Sequence, residues 1–266
     1  MKIVVFIQQI VNTQVKLQGV DYFDTSRVSE DDLIINPFGK NAIEGALKLK
    51  DQLQAEVTVV CVRGLKPIKA LREAIAMGCD SAIEVNDDIF YTNDPLLLTK
   101  IYVKVLEKIG DYDLVFLGVE EQSTSSYAIG AMLSEKLNVP SVLYAEELEV
   151  EGSDFQIGHV LEGGRKIVKM PQKGVISCSD SQFFTPRYTS MRGILTAKRA
   201  VIPTWTAADL DINESIVGEE AASLLEISLE NIVIEKESYI IKEGEPEEMV
   251  DNLLAKMKEN DVKLGV

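Results

Sequence analysis

The residues best suited to hold a ligand lie in the segment 118–130, where an apolar strand gives way to a helix. Gly118 ends the strand and would let the backbone turn, and Ile129 lies in the helix that follows. Four hydroxyl residues precede this helix: Ser123, Thr124, Ser125 and Ser126. The N–H groups at a helix start lack intrahelical partners, so together with hydroxyls they suit a phosphate or pyrophosphate. The same hydroxyls would equally cap the helix without any ligand.

Two further turns between a strand and a helix could complete the same site. Val62 ends an apolar strand and Gly64 follows it, so backbone groups there could hold an adenine or a ribose. The segment 36–39, Asn-Pro-Phe-Gly, begins a helix and could present the Asn36 amide to the same crevice. Each of these two turns is also explained by local structure alone.

Residues suited to acid–base or nucleophilic catalysis are scarce in this chain. His159 is the only histidine and lies in a strand-like stretch, which excludes most hydrolase mechanisms that need a histidine base. We interpret the adjacent Glu120 and Glu121 as a solvated corner rather than a catalytic pair. The cysteines are scattered, which predicts buried free thiols rather than a disulfide or a metal site: Cys61, Cys79 and Cys178. We therefore predict no catalytic residue and no metal ligand.

The segment 187–199, Arg-Tyr-Thr-Ser-Met-Arg-Gly-Ile-Leu-Thr-Ala-Lys-Arg, mixes a thioether, cations and small residues. It contains no group suited to proton transfer apart from its cations. An apolar anchor at Met191 beside the charge of Arg192 suits a brief, reversible protein encounter. The composition of this segment therefore predicts a docking surface rather than a catalytic pocket.

The elements that must position these residues alternate between strands and helices in the first half of the chain. Apolar runs predict strands at 3–7, 56–62, 81–85 and 114–117. Helical periodicity with proline starts and glycine or asparagine stops predicts helices that begin near 36–37 and span 66–77, 95–109 and 126–137. Residues 8–35 are too polar for a core element, so we expect a long loop or hairpin there. This alternation is typical of an α/β fold with a mostly parallel sheet between two helical layers.

The second half of the chain has a different texture. The sequence predicts short strands at 142–150, 155–161, 165–170 and 174–178, and the Gly-containing segments 151–154 and 162–164 predict the turns of antiparallel hairpins. Pro171 between two lysines is consistent with a sheet edge. We expect a nucleotide-binding α/β domain over 1–200 and a C-terminal helical extension over 201–266, with an amphipathic helix at 246–258.

Composition excludes several classes of function. The 266 residues carry a formal net charge of −16, so nucleic acid is a poor partner, because phosphate binding needs clustered cations. No apolar run approaches the roughly 20 residues that span a bilayer. The first residues lack the length and the cleavage site of a signal peptide, and we expect a cytoplasmic protein.

Together these segments resemble the beta, or small, subunit of electron transfer flavoproteins, in order over nearly the whole chain. The similar segments are the opening strand into Gln8 and Gln9, Asn36-Pro37-Phe38 with Ala42 and Glu44, residues 74–80, residues 113–118, Met170-Pro171, and residues 187–198. The last of these is the most specific. The resemblance implies the family's fold, a three-layer α/β sandwich of the adenine nucleotide alpha hydrolase-like type.

The resemblance also implies a heterodimer with an alpha subunit, which carries an FAD in a mobile domain and which the C-terminal extension over 201–266 would contact. Such a complex collects electrons from flavin dehydrogenases and passes them onward. The beta subunit of the family holds a second nucleotide, AMP in one branch and another FAD in the electron-bifurcating branch. The candidate contacts are Phe6, Gln8, Asn36, Pro37, Phe38, Gly39, Val62, Gly64, Gly118, Ser123, Thr124, Ser125, Ser126 and Ile129. Met191, with Arg192 beside it, falls where the family carries the apolar anchor that docks dehydrogenases.

The chain departs from the family at the site itself. The usual Asp-Gly-Asp-Thr is replaced by residues 123–126, the usual Gln by Ala128, and the usual Lys by Gln8. The site thus lacks two carboxylates and a cation, while residues 188–198 and 206–208 look more like the FAD-bearing branch. Three functions stay open: an electron-carrier subunit without substrate chemistry, a subunit of an electron-bifurcating NADH-oxidising complex with its own FAD, and a stand-alone adenine-nucleotide sensor.

Overall fold

The computed structural model describes residues 1–12, 28–90, 92, 94–120, 126–224, 238–260 and 262. The chain divides into two compact units, Met1–Ser228 and Leu229–Val266. The division lies later than the expected start of the extension at residue 201, because a strand at Thr204–Trp205 pairs with the main sheet. No helix within the described ranges is long and apolar enough to cross a membrane.

A nine-stranded sheet forms the centre of the first unit, and two further strands form a separate antiparallel sheet that is not hydrogen-bonded to it. The strands are β1 (Lys2–Ile7), β2 (Gln9–Val11), β3 (Leu33–Ile35), β4 (Glu56–Val62), β5 (Ser81–Val85), β6 (Leu114–Gly118), β7 (Ser141–Glu151), β8 (Asp154–Leu161), β9 (Gly164–Pro171), β10 (Gly174–Cys178) and β11 (Thr204–Trp205). Their order in the main sheet is β11-β5-β4-β1-β6-β10-β7-β8-β9. Within the main sheet, as far as the described residues show, only the pairings of β8 with β7 and with β9 are antiparallel. The predicted mostly parallel α/β sheet is therefore confirmed.

The helices lie on the two faces of this sheet or in the C-terminal unit. Their bounds are α1 (Pro37–Leu53), α2 (Pro67–Met77), α3 (Pro95–Ile109), α4 (Ile129–Leu137), α5 (Met191–Arg199), α6 (Glu214–Val217) and α7 (Pro246–Glu259). Alternate residues of β1 enter opposite clusters of buried side chains: Ile3, Val5 and Ile7 join α1, α2 and α5, whereas Val4 and Phe6 join α3 and α4. Burial on both faces explains why β1 reads as a continuous apolar run.

Local chemistry fixes the helix starts near the carboxyl edge of the sheet. The Asn36 side chain caps α1 by accepting a hydrogen bond from the backbone N–H of Phe38, and Pro37 occupies the first turn. The Asp94 side chain caps α3 in the same way, through the N–H of Leu96. The caps and the prolines are visible in the sequence, and α3 begins at the predicted residue.

One predicted element begins later in the structure. The helix expected from residue 126 begins at Ile129, since the Ser126 hydroxyl accepts from the Ala128 N–H just before it. The predicted strand 174–178 is β10, which lies parallel to both β6 and β7 and separates them. Its buried, uninterrupted apolar run is that of a central parallel strand. By contrast, β9 with Pro171 at its end lies at the sheet edge, as predicted.

Helix α7 lies in the second compact unit and presents an apolar stripe. Val250, Leu253 and Leu254 are exposed there. Glu245 and Glu248 form a capping box at its start, and Lys256 and Lys258 occupy its last turn. These end signals account for a helix at the predicted position.

Candidate functional site

A cleft of about 350 Å³ opens at the carboxyl ends of β1 and β6. The connections leave these two neighbouring strands in opposite directions, since the chain continues from β1 to β4 on one side and from β6 to β7 on the other. Ligands in parallel α/β sheets bind at such a divergence. Seven candidate contacts line the cleft: Phe6, Gln8, Asn36, Gly39, Gly118, Ser126 and Ile129. Val119 and Glu120, which lie in the segment 118–130 selected from the sequence, also line the cleft, together with Tyr102 and Leu117, which were not selected.

The remaining candidate contacts do not line this cleft in the described structure. Pro37 and Phe38 lie in the first turn of α1, and Val62 is buried at the end of β4. Gly64 lies in the turn after β4, where the Gln9 side chain both donates to the Lys66 carbonyl and accepts from the Lys66 N–H, each at 2.7 Å. Ser123, Thr124 and Ser125 lie outside the described residues.

Gly118 allows a close approach between the end of β6 and the start of α1. A Cβ atom at this position would lie 2.7 Å from the Phe38 Cβ and 2.8 Å from its carbonyl carbon. Gly118 is not among the residues with positive φ, so a left-handed backbone is not what requires glycine here. The absence of a side chain matters instead because the two backbones touch, and this contact forms one wall of the cleft.

Asn36 joins three parts of the site. Its Oδ1 accepts from the Phe38 N–H at 3.0 Å, and its Nδ2 donates to the carbonyl of Glu120 at 3.0 Å. The Asn36 side chain is buried, so these bonds form in a shielded environment. One amide therefore fixes the start of α1 and the segment after β6 on opposite sides of the cleft.

Two aromatic rings form the floor of the cleft. Phe6 and Tyr102 stack with ring centroids 4.0 Å apart and an interplanar angle of 7°. Tyr102 comes from the middle of α3, where its apolar neighbours indicate only a buried helical face. Its distance along the chain from the strand ends explains why sequence reasoning missed it.

A second aromatic pair contacts Glu120, one of the residues that line the cleft. The Tyr127 and Tyr144 rings lie nearly parallel, with centroids 5.9 Å apart, and the Tyr127 hydroxyl donates to Glu120 Oε2 at 2.8 Å. This bond raises the pKa of Tyr127 because the ionised phenol could no longer donate. Glu120 is therefore bonded on both its backbone and its side chain, at a partly exposed position.

Tyr144 occupies a backbone conformation that is unusual for a large side chain. Its φ is +54°, in the left-handed region, at a point where the pairing of β7 with β10 shifts register. Its N–H donates to the Ser177 hydroxyl at 3.2 Å instead of to a ladder partner. Strain of this kind persists only where the surroundings enforce it, and it often marks functional sites.

Groups suited to proton transfer are few in the described part of the chain. All three cysteines are buried, and burial raises the pKa of Cys61 and Cys79 to about 12 and the pKa of Cys178 further. No cluster of histidine, cysteine, aspartate and glutamate among the described residues could hold a metal ion. The arrangement at the cleft suits binding and orientation of a ligand rather than acid–base chemistry.

The segment 187–199 lies on the α1 and α2 face of the sheet. Arg187 donates from Nε to Glu44 Oε2 at 2.8 Å and from Nη2 to Asp51 Oδ2 at 2.9 Å, and these contacts raise the pKa of Arg187. The expected loop becomes helix α5 at Met191, where Ser190 Oγ accepts from the Gly193 N–H as a cap. Met191 is 77% exposed in the first turn, with the exposed Arg192 beside it.

One family model and several known proteins are similar in sequence to this chain. The family model for the electron transfer flavoprotein domain matches residues 26–210. An electron transfer flavoprotein subunit beta of Thermoanaerobacterium thermosaccharolyticum is 29% identical over 98% of this chain and 100% of its own length. A subunit beta of Clostridium acetobutylicum is 34% identical over 70% of this chain and 71% of its own. The caffeyl-CoA reductase-Etf complex subunit CarD of Acetobacterium woodii is 27% identical over 71% of this chain and 72% of its own length.

Proposed function

We propose, from the premise that this chain belongs to the electron transfer flavoprotein family and aligns with its beta subunits, that it holds an adenine nucleotide in the cleft between β1 and β6. It does so as the beta subunit of a heterodimer whose alpha subunit carries FAD, and the pair relays electrons between flavin dehydrogenases and later acceptors. The cleft at the divergence of the sheet carries this proposal, because the end of β1 meets two strand-to-helix connections there, β3 to α1 and β6 to α4.

The residues of the cleft fit the adenosine part of a nucleotide. Phe6 and Ile129 offer apolar contact to a base, while Gln8 and Ser126 contribute polar groups to the lining. A bound flavin would supply the redox chemistry, and the chain would supply binding and orientation.

The test is to purify the complex with its alpha subunit, denature it, and identify the released nucleotides by chromatography and mass spectrometry. We expect an adenine nucleotide from the wild-type beta subunit. Gly118→Ala should lose most of it, since the added Cβ would push α1 away from β6. Gly164→Ala is the matched control, because nothing lies within 4 Å of a Cβ built there. A complex without nucleotide, or equal retention by both variants, would contradict the proposal.

A second function is favoured by the similarity to a subunit of a caffeyl-CoA reductase-Etf complex. In that case the complex bifurcates electrons from NADH, and the cleft holds a second FAD instead of AMP. The same experiment separates the two functions by stoichiometry. Two FAD per heterodimer and bleaching of flavin absorbance by NADH would favour bifurcation, whereas one FAD with one AMP would favour the simple carrier.

A further inference from the structure

The charge of the cleft is unusual for a nucleotide site. Its described lining includes one carboxylate, that of Glu120, and no lysine or arginine. A carboxylate repels a phosphate group and accepts hydrogen bonds from hydroxyls, such as the vicinal diol of a ribose. Acidic side chains serve this purpose in other dinucleotide-binding sheets.

The Glu120 side chain is held in place rather than free to turn away. Tyr127 donates to Oε2, and the Tyr127 ring stacks on Tyr144, whose backbone is fixed through the Ser177 hydroxyl. Asn36 holds the Glu120 carbonyl on the other side. An ionised carboxylate has about four lone-pair sites, so one tyrosine bond leaves capacity for a ligand.

We propose that Glu120 is the specificity-determining residue of the cleft, and that its carboxylate accepts hydrogen bonds from the ribose hydroxyls of the bound adenosine moiety. Tyr127 acts as a positioning residue, which keeps the carboxylate directed at the mouth of the cleft. This inference rests on the proposed function, because it concerns how the same cleft selects its ligand.

The inference is tested by calorimetric titration of the heterodimer after its bound nucleotide has been removed. The probes are adenosine, 2′-deoxyadenosine, 3′-deoxyadenosine and AMP. We expect the wild type to bind adenosine roughly tenfold or more tightly than at least one deoxy analogue, as suits a hydrogen bond to a charged group. Glu120→Ala should abolish this preference, and Glu120→Gln should weaken it while raising the affinity for AMP relative to adenosine.

Two further variants separate specificity from general damage. Tyr127→Phe keeps the carboxylate but removes its hydrogen bond, so it should reduce the preference without abolishing it. Glu149→Gln changes an exposed glutamate of β7 that does not line the cleft and should behave as the wild type. The isosteric Glu120→Gln substitution keeps the test decisive if Glu120→Ala is unstable.

Each outcome decides the matter. If the wild type prefers adenosine and the Glu120 variants do not, the inference is supported. If the wild type binds adenosine but the preference is absent, or persists unchanged in the Glu120 variants, the inference is overturned while the proposed function stands. If neither adenosine nor AMP binds the wild type, the proposed function fails and this inference with it.

Discussion

Arg187 shows how a single side chain joins distant parts of the sequence. Its guanidinium and its backbone N–H both bond to the Glu44 carboxylate, which is 4% exposed on α1. Because the acceptor is buried and the donor is a third exposed, the bond is worth more than a surface ion pair but less than a fully buried one.

We expect Arg187→Ala to lower the free energy of unfolding by about 1–3 kcal/mol, because a buried carboxylate loses its main donors. Denaturation by urea measures this change. The matched control is Lys104→Ala, which removes an exposed pair with Glu107 and should change the free energy by less than about 1 kcal/mol. Equal effects in the two variants would show that the buried pair has no special role.

The cysteines give a pH prediction at the same scale. Burial raises the pKa of Cys61 and Cys79 to about 12, from an ordinary value near 9. The unfolded chain therefore releases these protons first, and stability should fall between about pH 9 and pH 12, by up to about 1.4 kcal/mol per pH unit for each thiol. Replacing both by alanine should reduce this dependence in urea denaturation at different pH values and leave the part due to the buried Cys178. A fall that persists unchanged would assign it to other groups.

At the scale of elements, α5 depends on α2 for its position. Arg72 of α2 donates from Nη1 to the carbonyl of Ala197 near the end of α5. We expect Arg72→Ala to increase amide hydrogen exchange in 191–199 by about tenfold, since one hydrogen bond of this strength is lost. Lys136→Ala, an exposed cation of α4, is the control and should leave exchange in that peptide unchanged. Unchanged exchange in both variants would contradict the dependence.

Elements that depend on local sequence signals could be predicted, and those that depend on distant parts of the chain could not. Strands 56–62 and 81–85 and helix 95–109 agree with the structure, because apolar runs, Pro95 and Gly110 are local signals. The central place of β10 could not be predicted, since it depends on pairing with strands far along the chain. The cleft could be predicted from the strand ends, because these are local signals. Tyr102 and the Tyr127–Tyr144 stack could not, because they depend on contacts that no local pattern encodes.

At the scale of the whole molecule, both clusters of buried side chains lie within the first compact unit. Their members end at Val217, well before the second unit begins at Leu229. We therefore expect a chain truncated after residue 228 to keep its fold and its nucleotide, but to lose affinity for the alpha subunit. Thermal denaturation and co-purification measure these properties. Loss of folding would contradict the first expectation, and full retention of the alpha subunit would contradict the second.

The late arrival of β10 constrains synthesis on the ribosome. In the folded sheet β10 separates β6 from β7, and β10 is made only after the β7–β9 hairpins. Until residue 178 leaves the exit tunnel, the growing polypeptide presents an unpaired apolar edge at Leu114–Gly118. Open edges of this kind invite wrong partners, so the nascent protein passes through an aggregation-prone stage that ends when its last core strand is inserted.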